Sequence, residues 1–286
     1  MNKQVQSGKD DVPPQPSDTT EDAQSGLSPS LDRLVGEYEE EESVDGQTVR
    51  RKGIYLLPNL FTTGTLFAGF YAIIAAMRGH YEAASLAIFL AMLFDGLDGR
   101  VARLTNTSSK FGAEYDSLAD MVSFGVAPAL VMFSWALGGL GKFGWSVAFI
   151  FVACAALRLA RFNTQIDTAD KNFFTGLASP AAASVIASAV WVCHDAGLVG
   201  AALPSELAVV MGLLTAVIGF LMIANFPYYS FKSVDFKSRV PFVVMIAMIL
   251  VFGLVMLDPP RVLLIAFLAY AVSGPVAQIV KWRRQA

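Results

Sequence analysis

Four aspartates interrupt a stretch that is otherwise apolar enough to lie in a membrane. In MLFDGLDGRVARLTNTSSKFGAEYDSLADMVSF they are Asp95, Asp98, Asp116 and Asp120. An ionised side chain at the centre of a membrane helix costs roughly 2.5–3.5 kcal/mol to insert, so each one calls for a function. At about 100° per residue, Asp95, Asp98, Gly99 and Ala102 fall within about 100° of arc on one helix face. Asp116 and Asp120 are a turn apart on the next segment, with Gly112 a turn earlier. Four neighbouring carboxylates cannot all stay ionised uncompensated, and Arg100 and Arg103 supply at most two positive charges. Hard divalent cations take carboxylate oxygens, and Mg²⁺ commonly shares its sites with substrate phosphates. Such a cluster at headgroup depth points to phosphoryl chemistry on a lipid. The alternative is a water-filled ion path or arginine pairing, as in a cation transporter. That reading predicts carboxylates spread through the membrane depth rather than crowded into one half.

The elements that must hold these residues follow from composition. The chain has 286 residues, 55% of them hydrophobic and 16% charged, with a mean hydropathy of +0.52. Soluble domains carry roughly a quarter charged residues, so this is an integral membrane protein. Its charge is divided. Residues 1–50 hold 12 acidic and 4 basic residues, a net of −8, whereas residues 51–286 hold 12 acidic and 17 basic, a net of +5. Apolar runs predict eight membrane helices, at about 57–77, 81–103, 112–137, 144–163, 175–193, 208–227, 240–257 and 260–280. An all-α bundle follows, because the bilayer core offers backbone groups no other partners. With the N-terminus inside, fifteen lysines and arginines fall on cytoplasmic segments, against three (Arg78, Lys142 and Arg261) outside. Both termini are therefore expected in the cytoplasm. Asp95 comes about 21 Å along its helix from the outside, and Asp120 about 12 Å in from Gly112 on the return. The four carboxylates can thus converge on a cytoplasm-facing cavity.

Residues 1–50 read as a disordered acidic cytoplasmic tail, with Pro13, Pro14, Pro16 and the run Glu39–Glu42 and few large apolar residues. A short helix over Ser30–Tyr38 is the one local exception. No basic and apolar leader follows Met1, which predicts no cleaved signal peptide. Cys154 and Cys193 lack metal-ligand spacing and are expected to be buried small hydrophobes. His80 and His194 are expected in solvated loops.

The stretch Asp95-Gly-Leu-Asp98-Gly99-Arg-Val-Ala102-Arg103, then Gly112, Asp116 and Asp120, resembles the complete signature of the CDP-alcohol phosphotransferase family. It fixes eight positions over 26 residues with no departure. The resemblance implies attack of an alcohol oxygen on the lipid-side phosphorus of a CDP-linked lipid, with CMP leaving. It implies that Asp95, Asp98 and Asp116 ligate a divalent pair, Mg²⁺ or Mn²⁺, and that Asp120 completes the cluster and acts as general base. Gly99, Ala102, Arg103 and Gly112 would line the CDP moiety.

Further stretches resemble the bacterial phosphatidylserine synthase branch: Leu56-Leu-Pro58-Asn59-Leu-Phe-Thr62, Phe111 to Pro128, Leu157-Arg158-Leu-Ala-Arg161-Phe-Asn163, and Phe174-Thr-Gly176-Leu-Ala-Ser179-Pro180. Together they cover about residues 53–230. They imply transfer of a phosphatidyl group from CDP-diacylglycerol to L-serine, by a homodimer in the bacterial inner membrane. A sister enzyme would use glycerol 3-phosphate, an inositol phosphate or choline instead. Pro58 and Asn59 stand as CDP contacts or an ordinary helix start. Arg158 and Arg161, three residues apart, suit a diphosphate or the serine carboxylate, or simply anchor the helix at the cytoplasmic face. Asn163, Ser117, Lys171 and Ser179 are weaker candidates in the same zone. Residues 231–286 are expected to add two membrane helices and a basic C-terminus.

Overall fold

A computed structural model describes residues 39–44, 47–52, 56–105, 110–164, 173–229 and 242–285. The chain divides into two compact units at Gly53. In the first, β1 (Glu39–Val44) and β2 (Gln47–Lys52) pair antiparallel, with Glu39, Glu40 and Glu41 in register with Lys52, Arg51 and Arg50. The described part of the acidic tail thus pairs as two strands. The glutamate run has a strand of opposite charge type to face, and such positions favour antiparallel pairing. Residues 1–38, including the expected helix at Ser30–Tyr38, lie outside the described residues.

The second unit is helical. Its elements are α1 (Leu56–Met77), α2 (Tyr81–Thr105), α3 (Lys110–Asp120), a π-helical turn (Met121–Val126), α4 (Ala127–Trp135), α5 (Lys142–Thr164), α6 (Ser179–Asp195), α7 (Ser205–Ile223), α8 (Phe242–Leu257) and α9 (Pro259–Gln285). Each of the eight predicted segments is helical, with α3, the π-turn and α4 together forming the third. Among the described residues, five stretches are long and apolar enough to cross a membrane: 58–77, 110–135, 142–164, 205–223 and 259–283. The expected count of eight crossings is therefore not established. The remaining α2 carries Asp95, Asp98, Arg100 and Arg103, while α6 and α8 have 17 and 16 residues, short of the roughly 20 a perpendicular span needs.

The helices bury small residues and expose large ones. Ala68, Ala72, Ala75, Ala84 and Ala91 seal α1 against α2, and nearly the whole of α6 is buried. Phe67 and Phe70 on α1, and Leu213, Val217 and Phe220 on α7, face outward. In water this surface would be an aggregation hazard. In lipid, where apolar side chains gain nothing by clustering, close approach of small residues is what packs helices together.

The third segment is not one regular helix. Pro128 has no N–H for the Phe124 carbonyl and its ring crowds that oxygen, which accounts for the shift in hydrogen-bond register just before it. Within the π-turn, Ser123 Oγ donates to the Thr65 carbonyl at 2.9 Å. The same turn presses on Gly69 of α1 so closely that any side chain there would strike Ser123.

A small clasp takes the place of two expected helix ends, at Thr175 and Pro227. Strands β3 (Phe173–Thr175) and β4 (Pro227–Tyr229) pair antiparallel, so the helix expected from residue 175 starts only at Ser179. The Leu177 N–H donates to the Leu221 carbonyl at 2.9 Å, tying the entrance of α6 to the end of α7. Helix α9 packs along α6 and against β4. Cys154 is buried and Cys193 half-buried, both as free thiols. His80 is exposed. His194, expected in a solvated loop, instead ends α6 half-buried, with its ring edge-on to Tyr81 at 6.2 Å.

Candidate active site

The α2–α3 hairpin brings three of the four aspartates together. Carboxylate oxygens of Asp95, Asp98 and Asp116 lie within 4.8 Å of one another. Asp98 is buried, and Asp95 and Asp116 are half-buried. Asp98 and Asp116 stand within hydrogen-bonding reach of each other, an approach that two ionised carboxylates do not tolerate without a proton or cation between them. Asp116 Oδ1 is buried with no hydrogen-bond partner among the described residues. Three converging carboxylates, one with an unmatched acceptor, fit a hard divalent cation.

Asp120 is not one of the three carboxylates whose oxygens meet within 4.8 Å. Its Oδ1 is likewise buried and unpartnered, but the group able to hold a cation consists of the other three. A turn beyond Asp116 and abutting the π-turn, it interacts electrostatically with Asp95, Asp116 and Arg158. Irregular π-turns recur beside functional residues because they re-aim a side chain without ending the helix.

Helix α1 supplies a wall that the residue spacing did not single out. Thr62 Oγ1 lies 3.0 Å from Asp98 Oδ2, to which it donates, and 3.2 Å from the Pro58 carbonyl. Pro58 is buried, and Asn59 Nδ2 is a buried donor without a partner among the described residues. One residue on, Thr63 Oγ1 and Tyr115 Oη are 2.9 Å apart, fixing α3 to α1. The Thr62 signal was present in sequence as the final residue of the Pro58–Thr62 stretch, one helical turn past Pro58.

Arg158 and Arg161, on one face of α5, have different surroundings. Arg158 donates to Ser179 Oγ at 2.5 Å, lies 6.0 Å from the Phe162 ring centre, and interacts with Asp120 and Asp95. Arg161 is turned to backbone. It donates to the carbonyls of Ile223 at 3.0 Å and Thr175 at 2.8 Å, and to Asn225 Oδ1 at 3.1 Å. It therefore caps α7 and holds the β3–β4 clasp. Asn163 Nδ2 donates to Ser117 Oγ at 3.0 Å, and Ser117 in turn donates to the Ala113 carbonyl, which pins α5 to α3.

The other predicted residues divide. Gly99 is exposed, and a side chain added there would meet nothing among the described residues. Gly112 is half-buried on α3. Ala102 and Arg103 lie on the last turn of α2, with their side chains outside the described residues, as is all of Lys171.

A family model described as CDP-alcohol phosphatidyltransferase matches residues 55–221, which contain the entire aspartate cluster. The chain is 36% identical over 229 residues to a CDP-diacylglycerol–serine O-phosphatidyltransferase of Helicobacter pylori, covering 80% of this chain and 92% of that one. It is 39% identical over 173 residues to the protein of the same name in Saccharomyces cerevisiae, covering 58% and 56% of the two chains. It is also 41% identical over 134 residues to an archaetidylserine synthase of Methanothermobacter thermautotrophicus, covering 46% and 56%.

Proposed function

The chain belongs to the CDP-alcohol phosphatidyltransferase family, and we propose that it makes phosphatidylserine from CDP-diacylglycerol and L-serine. The relatives named above support serine as the acceptor. The observation that carries the chemistry is the trio Asp95, Asp98 and Asp116, with Asp120 one turn on and within electrostatic reach of Arg158.

The serine hydroxyl oxygen forms a bond to the lipid-side phosphorus, the bond from that phosphorus to the CMP oxygen breaks, and CMP departs. Asp120 takes the hydroxyl proton. Its unpartnered oxygen is available for that proton, and a positioned base of this kind contributes about 10²–10⁴ in rate. Asp95, Asp98 and Asp116 would hold divalent metal, two Mg²⁺ or Mn²⁺ ions on our reading. The metal would supply neutralisation of the diphosphate and of the charge developing on CMP. Thr62 fixes the Asp98 rotamer through its hydrogen bond. Arg158, held by Ser179, is placed to receive the serine carboxylate, which its planar fork matches. Gly99, Ala102, Arg103, Gly112, Pro58 and Asn59 line the CDP moiety, with the open space at Gly99 in keeping with a ligand's approach. Arg161, Asn163 and Ser117 support this site through the framework. The excess of basic residues on alternate segments supports an inner-membrane enzyme with its site toward the cytoplasm, and we take the working unit to be a homodimer.

The test is CMP release from CDP-diacylglycerol by detergent-purified protein, with and without Mg²⁺ or Mn²⁺. L-serine, glycerol 3-phosphate, inositol phosphate and choline are supplied separately. Metal-dependent release stimulated by serine alone is expected. Stimulation by a different acceptor would overturn the serine assignment, and no release by folded protein with any acceptor would overturn the reaction.

A further inference from the structure

Asp98 and Asp116 stand on different helices, so their separation depends on how α2 and α3 are held together. Their charges oppose the approach, because converging carboxylates repel until a cation or a proton lies between them. The cluster therefore needs a restraint that is in place before metal arrives. Helix α1 supplies one from two consecutive residues. Thr62 reaches α2, donating to Asp98 Oδ2 at 3.0 Å. Thr63, about 100° further round the helix, reaches α3, with its Oγ1 2.9 Å from Tyr115 Oη.

The direction of the second bond follows from a proton count. A hydroxyl carries one proton, and Thr63 Oγ1 donates its own to the Asn59 carbonyl at 2.7 Å. Tyr115 is therefore the donor to Thr63. The bonds form a chain, from Tyr115 to Thr63 to the Asn59 carbonyl, that ends on the α1 backbone. Chained hydrogen bonds polarise and strengthen one another. The Tyr115 ring lies against Phe111, one turn back on α3, with ring centres 6.1 Å apart and planes 23° from parallel. On the other side of Asp116, Ser117 is tied to α5 by Asn163. Asp116 is thus the middle of three consecutive residues whose outer two are hydrogen-bonded to different helices. Thr63 is exposed and Tyr115 half-buried, and neither is a position of the aspartate signature.

We propose that Thr63 and Tyr115 are a positioning pair that holds Asp116 against Asp98 and so preassembles the cation site. The inference rests on the reading of Asp95, Asp98 and Asp116 as metal ligands. Full-length protein in detergent, free of substrate, is titrated with Mn²⁺ and followed by paramagnetic resonance. Tyr115→Phe keeps the ring and removes only the donor, and Thr63→Val removes the acceptor while keeping the shape. Each should raise the Mn²⁺ dissociation constant about five- to tenfold, the scale of one net hydrogen bond. The double variant should bind no more weakly than either single one, since both break the same bond. Thr63→Ser restores the hydroxyl and should bind as the wild type does. In the CMP-release assay, Tyr115→Phe and Thr63→Val should need more Mn²⁺ for half-maximal rate, while kcat at saturating Mn²⁺ stays within about twofold. Unchanged Mn²⁺ affinity in both single variants would overturn the proposal. So would a fall in kcat that excess Mn²⁺ does not recover, or effects that add in the double variant, as a merely structural role would give. Asp116→Asn is the control for the underlying reading. If it binds Mn²⁺ as tightly as the wild type, the trio is not the cation site and this inference falls with it. Weakened binding in Asp116→Asn beside unaffected Tyr115→Phe and Thr63→Val removes the positioning pair alone.

Discussion

The acidic end of the α2–α3 hairpin and the basic end of α5 are both built from charged side chains in a largely apolar bundle, yet they treat polar atoms in opposite ways. At the acidic end, Asp116 Oδ1 and Asp120 Oδ1 are buried without partners among the described residues. At the basic end, Arg161 places its guanidinium on the Ile223 and Thr175 carbonyls and on Asn225. Buried polar groups in folded proteins are overwhelmingly satisfied, so the exceptions mark where something else must bind. Unmatched acceptors on converging carboxylates indicate a ligand site, whereas a fully engaged arginine indicates framework. Arg158 lies between these cases, within electrostatic reach of Asp120 and Asp95 while held by Ser179.

The largest effect that would break this contrast concerns Asp120. Asp120→Asn should lower kcat by about 10²–10⁴ while leaving binding of CDP-diacylglycerol intact, measured by equilibrium retention of labelled substrate. Normal turnover would show that its unpartnered oxygen has no role in proton transfer. Asp116→Asn should lower kcat by on the order of 10²–10³, and chelation of divalent ions should silence the wild type in the same CMP-release assay. Binding of Mn²⁺ followed by paramagnetic resonance should weaken in parallel, and undiminished Mn²⁺ binding would show that the trio is not the cation site.

Smaller effects sharpen the division between the two arginines. Arg158→Lys retains the charge but not the planar fork, and the serine KM should rise roughly tenfold with little change in thermal midpoint. Arg161→Lys should do the reverse. It leaves backbone carbonyls of α7 and β3 without their donor, costing about 1–3 kcal/mol of stability with a nearly unchanged serine KM. If the two variants behave alike, the separation of site from framework fails. Mildest for catalysis should be Gly69→Ala, because its new methyl meets Ser123 in the π-turn rather than the site itself. Overpacking of that kind costs about 1–3 kcal/mol, seen as a lower midpoint.

What could be read in the sequence was what local periodicity encodes. Long apolar runs announced every helical segment, and a hundred degrees per residue placed Asp95 and Asp98 on one face. Their convergence with Asp116 followed from the hairpin. Which three of the four oxygens meet within 4.8 Å did not, because that depends on atomic positions at the junction with the π-turn, which in turn reflects the local conflict at Pro128. The β3–β4 clasp was also hidden, since its strands have three residues each and lie far apart in the chain. Arg161 could not be separated from Arg158 by spacing, as its partners come from α7 and β3. His194 was misjudged because the helix runs two residues past its predicted end at 193.

The π-turn after Asp120 has a consequence for how this chain tolerates change in length. A π-helical turn holds one residue more than the α-helix needs to climb the same height. Deleting a single residue between Met121 and Val126 would leave a continuous helix of ordinary pitch, and by local criteria a better one. Everything on its N-terminal side would nevertheless be rotated by about 100° relative to α4, swinging Asp116 and Asp120 away from Asp95 and Asp98. The defect in the helix therefore acts as a phase setting. Insertions and deletions should be admitted in the connections between helices long before they are admitted at this one turn, even where the residues themselves are ordinary and touch no substrate.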